Sequence, residues 1–329
     1  MSVVRLQLFD HHPAAASLRD EVLAGLALRP KAIAPKFFYD DRGSRLFDRI
    51  CEQPEYYPTR TEIALLREIA VQVGELIGPD STLIELGSGS NQKIRLLLDI
   101  IKPAAYMPVD ISRDYLFQEA RAVAMDYPWL QVYAACADFS QSLQVPRPPQ
   151  GRRTIVFFPG SSIGNFEPPE ARRLLENVAR LIGPDGGLLI GVDLKKDPAV
   201  LEAAYNDAQG VTAAFNLNLL RRINRELGGG FRLERFYHRA FYAADRGRVE
   251  MHLVSREAQQ IKVAGRSFEF TAGETIHTEN SYKYHPAEFA ALAAAAGFTP
   301  LQTWTDPQRL FGVFYFARGA GPRLALDRP

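Results

Sequence analysis

The densest chemical signal in the chain is Glu85-Leu86-Gly87-Ser88-Gly89-Ser90, a glycine turn that closes the apolar stretch Thr82–Leu86. Glycines let a backbone turn sharply and approach a ligand with no Cβ in the way. A dinucleotide fingerprint requires a third glycine at position 92, where Gln92 stands. A phosphate-cradling loop requires Gly-Lys-Ser/Thr, whereas Lys93 follows Gln92 and precedes Ile94. Both phosphate-binding readings are weakened. Asp110 ends the next apolar stretch, 23 residues after Gly87, where a carboxylate can accept both hydroxyls of a ribose. Asp138 and Phe139 follow a third apolar stretch and offer a hydrogen-bond partner and an apolar wall for adenine. Adenosine without a phosphate cradle suits S-adenosylmethionine. On the residues alone, Gly87 and Gly89 also fit a plain βα turn, and Asp110 a helix cap.

A second candidate segment runs from Phe158 through Pro159, Gly160, Ser161, Ser162, Ile163 and Gly164 to Asn165 and Phe166. Gly160 gives access to backbone polar groups, and the Asn165 amide both donates and accepts hydrogen bonds. The plainer alternative makes Gly164-Asn165 a turn.

The elements that must position these residues read as alternating strands and helices. Strands are expected at Thr82–Leu86, Ala105–Val109, Gln131–Ala135, Thr154–Phe158 and Gly187–Val192, with helices near Lys93–Ile101, Ser112–Tyr127 and Pro169–Ile182 between them. Short apolar strands separated by amphipathic helices indicate an α/β unit around a buried parallel sheet, whose ligands sit at the carboxyl ends of the strands. The pattern stops near Asp197, where helical material over Val200–Leu227 precedes alternating stretches such as Arg248–Ser255 and Ser267–Thr271. It resumes with helix Pro286–Ala296, capped by Gly297, and strands Leu301–Trp304 and Gly312–Ala317. The expected organisation is a ligand-binding α/β domain of residues 62–196 and 286–329. An accessory α+β domain is expected from residues 1–61 and 197–285.

Composition narrows the alternatives. The 329 residues carry 39 Lys plus Arg against 38 Asp plus Glu, a net charge of +1, which argues against nucleic-acid or anionic-membrane partners. No apolar run approaches the roughly 20 residues of a membrane span, and Asp10, His11 and His12 stand where a signal peptide is apolar. Cys51 and Cys136 form no disulfide framework, and His11, His12, His238, His252, His277 and His285 show no metal-ligand spacing. These six histidines read as surface or core residues. A cytoplasmic, metal-free monomer is the expectation.

Several stretches, in order along nearly the whole chain, resemble the histidine-specific S-adenosylmethionine methyltransferases of ergothioneine biosynthesis. They include Pro35-Lys36-Phe37-Phe38-Tyr39-Asp40, Leu46-Phe47-Asp48, and Pro54-Glu55-Tyr56-Tyr57-Pro58-Thr59-Arg60-Thr61-Glu62. The glycine loop, the segment from Gly160 to Asn165 and Gly210-Val211-Thr212-Ala213-Ala214-Phe215-Asn216 follow, then Val249-Glu250-Met251 and Thr278-Glu279-Asn280-Ser281. The Tyr-Pro motif and the segment around Glu279 are far more specific than the glycine loop. The resemblance implies a class I, Rossmann-like core with a seven-stranded, mostly parallel sheet, and transfer of three methyl groups to the α-amino nitrogen of L-histidine, giving hercynine. It implies that Gly87, Lys93, Asp110, Asp138, Phe139, Gly160 and Ser162 line the cofactor site. Tyr56, Asn165 and Tyr205 would hold the carboxylate and amino end of the substrate. Tyr39 would face the methylated nitrogen, and Glu279 with Ser281 would grip the imidazole beside Met251.

Displacement at a sulfonium methyl needs a neutral amine held in line, with reacting atoms roughly 3–3.5 Å apart, and no covalent nucleophile. The trimethylated product is a fixed cation, and aromatic faces attract quaternary ammonium groups, which gives Tyr39 a physical reason to be present. Tyrosine hydroxyls can fix a carboxylate without neutralising it, although one of Tyr56 and Tyr57 is expected only to pack. Glu279 can accept the imidazole N–H and Ser281 can serve the other nitrogen, because spacing i, i+2 shares one face of a strand. Three rivals remain in view. A methyltransferase for another aromatic amino acid such as tryptophan is disfavoured by Glu279, and a nicotinamide-dependent dehydrogenase by Gln92. A non-catalytic S-adenosylmethionine-binding regulator would have no use for an amino-acid pocket.

Overall fold

The computed structural model describes residues 6–11, 15–139 and 153–318. The first part of the chain forms β1 (Leu6–Asp10), α1 (Ala15–Ala27), β2 (Lys31–Ala32), a 3₁₀ turn at Pro35–Phe38, α2 (Asp41–Cys51) and α3 (Tyr57–Ile77). The alternating region follows as β3 (Ser81–Leu86), α4 (Gln92–Ile101), β4 (Ala105–Asp110), α5 (Arg113–Asp126) and β5 (Gln131–Cys136). It continues with β6 (Arg153–Phe158), a 3₁₀ turn at Ser162–Asn165, α6 (Pro168–Ile182) and β7 (Gly187–Asp193). Then come α7 (Pro198–Tyr205), α8 (Val211–Leu227), β8 (Phe236–Ala243), β9 (Arg248–Ser255), β10 (Gln259–Val263), β11 (Arg266–Phe270) and β12 (Thr275–Tyr282). The chain closes with α9 (Pro286–Ala295), β13 (Phe298–Thr305) and β14 (Phe311–Arg318).

Two compact units divide the chain. One comprises Met1–His12, Pro58–Lys195 and Tyr284–Pro329, the other Pro13–Tyr57 and Lys196–Lys283. The first unit is built on a sheet of order β1-β5-β4-β3-β6-β7-β14-β13, in which β14 alone runs against its neighbours among the described strands. The class I, Rossmann-like architecture is present. Its inner strands are buried on both faces, as β3 and β7 are along their whole length, because helices cover the sheet on each side. Leu66, Ile69 and Val73 of α3 join Leu97, Leu98 and Leu116 in one apolar cluster with Leu83, Ile155 and Phe157 of the sheet.

The sheet has eight strands, not the expected seven. The extra strand, β1, pairs in parallel with β5, Leu6 opposite Val132 through Asp10 opposite Cys136. Residues 6–10 therefore belong to this unit rather than to the accessory domain expected for 1–61. An edge strand with open hydrogen-bonding groups invites a partner, and the chain's own first segment covers it. Because the strand order reverses between β3 and β6, the turns at Gly87 and Gly160 both leave carboxyl ends at the switch point, where doubly wound sheets bind ligands.

The second unit holds a sheet of order β2-β12-β9-β8 and the hairpin β10-β11. The helical stretch expected over Val200–Leu227 is broken into α7 and α8. Asp207 accepts hydrogen bonds from the backbone N–H groups of Val211 and Thr212, 2.7 Å each, and Gly210 takes a left-handed conformation. An Asp cap and a positive-φ glycine start a helix more favourably than they continue one. No described helix is long and apolar enough to cross a membrane.

Candidate functional site

Each unit carries one cluster of the residues singled out above. In the sheet unit, Gly87 leaves β3 at a φ of 70°, and a Cβ there would meet Phe139 and Ser162 at 3.8 Å. Gly160 leaves β6 at a φ of 78°, and its missing Cβ would lie 3.5 Å from both Lys93 Nζ and Ser162 Oγ. Gly87, Lys93, Phe139, Gly160 and Ser162 are thus neighbours around a cradle that side chains on the glycines would fill. Ser162 Oγ donates to the carbonyl of Pro159 at 3.2 Å, and Phe139 stacks edge-on against Phe158. Asn165 ends the 3₁₀ turn that follows Gly160 and is half-buried.

Asp110 stands at the end of β4, its Oδ1 accepting the N–H of Ser112 at 2.7 Å. Ala137 N–H donates to the Asp110 carbonyl at 3.0 Å, which brings half-buried Asp138 alongside. Burial pushes the Asp110 carboxyl up to about 6 against the pull of backbone donors at Ser112 and Ile111. Glu85, one strand over, is pushed by burial up to about 7 and accepts a short hydrogen bond from Tyr106. Asp110, half-buried at the strand end, has acceptor capacity beyond the Ser112 N–H for hydroxyl or N–H donors, as a ribose or an amino group provides.

Glu62 of α3 is the principal residue missed in this cluster. It is fully buried, ion-paired with Lys93 at 2.5 Å, and accepts the Gly160 N–H at 2.9 and 3.1 Å. Gly191 of β7 must lack a side chain, since its Cβ would fall 2.1 Å from Glu62 Oε1. The segment Pro58-Thr59-Arg60-Thr61-Glu62 contained the signal, but Lys93 and Gly160 lie 31 and 98 residues further along the chain.

In the second unit the cluster is aromatic. Tyr39 packs edge-on against Phe47 at 5.8 Å and Phe215 at 5.6 Å, Phe47 meets Tyr56 at 6.3 Å, and Tyr56 meets Tyr205 at 6.2 Å. Tyr39 is aimed by its neighbours in sequence. Asp40 caps α2 through the N–H of Gly43 and is bound by Asn218 and Arg225. A Cβ on Gly43 would lie 1.8 Å from the Phe38 carbonyl, so only glycine permits this tight entry to the helix. Tyr56 is buried, and burial with the nearby Tyr205, Cys51, Glu279 and Tyr39 holds its hydroxyl well above the usual tyrosine range. It is a phenol at neutral pH. Tyr57 instead receives a hydrogen bond and a cation–π contact from Lys196.

Tyr205 ends α7 and donates to Ser281 Oγ at 2.7 Å. His238 positions it: Asn216 Nδ2 donates to His238 Nδ1 at 2.9 Å, so Nε2–H donates to the Tyr205 carbonyl at 2.8 Å. Met251 and Glu279 are cross-strand partners on β9 and β12, and both are buried. A bulge between His277 and Glu279 re-aims the strand. Its Thr278 Oγ1 donates to Asn216 Oδ1 and the Met251 carbonyl. The Glu279 carboxylate meets no hydrogen-bond donor among the described residues. Burial pushes it up to about 8, against the pull of the Lys283 ammonium. Lys283, itself buried, donates to Tyr205 Oη at 3.0 Å and Ser281 Oγ at 2.8 Å, and was not anticipated.

The bulge leaves His277 opposite His252, stacked at 4.7 Å with ring planes 13° apart, and Glu250 within reach of both. Cross-strand register makes this group, so linear spacing could not reveal it. His252 Nε2 is hydrogen-bonded to Glu250 Oε2 at 2.9 Å, His277 Nε2 to the Glu279 carbonyl at 3.0 Å, and Arg248 forks onto Glu250, so each member of the group has a partner within the protein. His12 lies outside the described residues.

A family model described as histidine-specific, S-adenosylmethionine-dependent methyltransferase matches residues 18–318. The chain is 44% identical to a histidine N-alpha-methyltransferase of Mycolicibacterium smegmatis over 91% of this chain and 94% of that protein. It is 40% identical to one of Mycobacterium tuberculosis over 92% and 95%. It is 30% identical to ergothioneine biosynthesis protein 1 of Neurospora crassa over 84% of this chain, which spans 32% of that longer protein.

Proposed function

Since the chain belongs to the histidine-specific, S-adenosylmethionine-dependent methyltransferases, we propose that it transfers three methyl groups to the α-amino nitrogen of L-histidine. The product is hercynine, and the reaction is the first step of ergothioneine biosynthesis. The observation that carries the substrate is Glu279, a buried carboxylate beside Ser281 that meets no donor from the described residues. A buried acceptor without a partner costs free energy, and a ligand N–H removes that cost. An indole of tryptophan offers an N–H but no second ring nitrogen for Ser281 to serve.

The sheet unit holds the methyl donor and the other unit the amino acid. S-adenosylmethionine supplies a methyl group on a sulfonium. Asp110 accepts the ribose hydroxyls, Asp138 and Phe139 frame the adenine, and Gly87, Gly160 and Ser162 line the cradle with Lys93, whose charge Glu62 balances. Tyr56 offers the carboxylate and amine end of the substrate a neutral donor, and Tyr205, its O–H already given to Ser281, borders that end, so the amine is not held as an ammonium by a competing carboxylate. The face of Tyr39 receives the nitrogen as it becomes a fixed cation. Positioning of the amine supplies the rate, at effective molarities that replace a covalent nucleophile. The near-balanced charge supports a small-molecule substrate rather than a nucleic acid.

Incubation with S-adenosylmethionine and each amino acid in turn, followed by mass analysis, tests the function. A gain of three methyl groups on histidine alone is expected; methylation of tryptophan instead would replace this assignment with its nearest rival.

A further inference from the structure

The pocket holds an ion that imidazole recognition by Glu279 and Ser281 does not by itself require. Lys283 is 2% exposed, and lysine is rarely buried unless it serves a defined set of partners. Its ammonium can only donate, and it donates to both Tyr205 Oη and Ser281 Oγ. Each of those two oxygens carries one proton, and only one of the two protons can lie in the 2.7 Å between them. The phenol is the more acidic hydroxyl and gives that proton to the serine, as the hydrogen bond from Tyr205 to Ser281 records. Ser281 Oγ therefore accepts twice, from Lys283 and from Tyr205. A hydroxyl oxygen has two lone pairs, so its own O–H is directed elsewhere.

We propose that Lys283 is a specificity-determining positioning residue: by filling the acceptor sites of Ser281 together with Tyr205, it makes Ser281 an obligate donor to the substrate ring. The inference rests on histidine being the substrate. An obligate donor needs a bare ring nitrogen. Imidazolium has none, since both its nitrogens carry protons. With Ser281 donating to one nitrogen, the other must carry the N–H, and Glu279 must accept it as an ionised carboxylate. Only this arrangement gives every polar atom a partner. Lys283 supports it a second way, because its charge favours the ionised form of Glu279 in a site where burial opposes ionisation. The pocket thus binds the neutral imidazole in one tautomer and rejects the imidazolium. A carboxylate and a freely rotating serine would have accepted both.

The test uses the wild-type protein with S-adenosylhomocysteine and ¹⁵N-ring-labelled L-histidine, observed by nitrogen NMR near pH 6. Free histidine, with a ring pKa of about 6.5, is mostly protonated there. The bound ring is expected to show two well-separated resonances, one of a protonated and one of a bare nitrogen. Two similar N–H resonances, the signature of imidazolium, would overturn the proposal and leave histidine as substrate untouched. Absence of any bound signal at saturating histidine would overturn the substrate assignment and this inference with it. In Lys283→Met, shown to be folded by its melting temperature, the bound ring should shift toward the imidazolium pattern, since Ser281 is free to accept. Retention of the neutral pattern in that folded variant would show that Lys283 does not set it. Should the variant fail to fold, the wild-type spectrum alone decides between the two protonation states.

Discussion

Two buried glutamates, one in each unit, are held in opposite ways. Glu62 in the sheet unit is fully buried and fully partnered, by Lys93 and by the Gly160 N–H. Glu279 in the other unit is nearly as buried, yet the described residues offer it only the field of Lys283 and no hydrogen bond. A partnered buried carboxylate is structural. An unpartnered one is a cost that folding bears for a ligand. The same contrast separates the clusters around them, since the sheet unit shapes its cradle with backbone turns, whereas the other unit shapes its pocket with long-range side-chain contacts.

The two glutamates should therefore respond to removal with opposite signs. Glu62→Ala leaves the Lys93 ammonium and the Gly160 N–H without their acceptor, and should destabilise the protein by about 3–5 kcal/mol, read by chemical denaturation. A loss below about 1 kcal/mol would mean that water or a rearranged Lys93 replaces the pair.

Glu279→Gln should stabilise the ligand-free protein at alkaline pH. The folded state holds the Glu279 proton up to about 8, against an ordinary value of 4.5, so between those values it binds more protons than the unfolded chain. Stability contributed by this group is complete below 4.5 and falls as pH rises toward 8. The advantage of the variant should grow across that window to on the order of 4 kcal/mol at pH 9. Asp110 and Glu85 titrate in both proteins and cancel in the difference. Melting curves of both proteins from pH 5 to 9 measure it, and a constant difference would show that Glu279 ionises normally.

Asp110→Ala should weaken S-adenosylmethionine binding by about 2–4 kcal/mol, since each hydrogen bond to a charged group contributes roughly 1.5–3 kcal/mol and the two are coupled. Calorimetry reads the change, and unaltered affinity in a folded variant would remove Asp110 from the site. Tyr39→Ala should cost less, about 0.5–2 kcal/mol, concentrated in the later transfers as the nitrogen gains permanent charge. Tyr39→Phe keeps the ring and should lose less again. Single-turnover product distributions separate them, and wild-type trimethylation by Tyr39→Ala would dispose of the contact.

The contrast between clusters also explains what the sequence revealed. Strand, glycine turn and helix lie next to one another at Gly87 and Gly160, so the cradle could be read from adjacent residues. β1 could not, because five residues gain their meaning only by pairing with β5, more than a hundred positions on. Glu62 reaches Gly160, His238 the Tyr205 carbonyl and Lys283 the Tyr205 hydroxyl only once folding has brought these partners near. Glu279 and Ser281 share one strand face because both follow the bulge, whereas His277, before it, is turned to the other face. The break at Asn206–Gly210 was hidden because Asp207 and Gly210 interrupt an otherwise helical pattern.

Whether Glu279 reads the imidazole is measured by the ratio of kcat/KM for histidine to that for tryptophan. A site built to bond a polar group rejects substrates that leave its own buried groups unpaired, at roughly tenfold per 1.4 kcal/mol. Wild type should favour histidine by several kcal/mol. Glu279→Ala removes the acceptor for the imidazole N–H and the buried polar group that an apolar ring leaves unpaired, so the ratio should fall at least a hundredfold, and further when Met251 is also trimmed. An unchanged ratio in a folded, cofactor-binding Glu279→Ala would contradict the account.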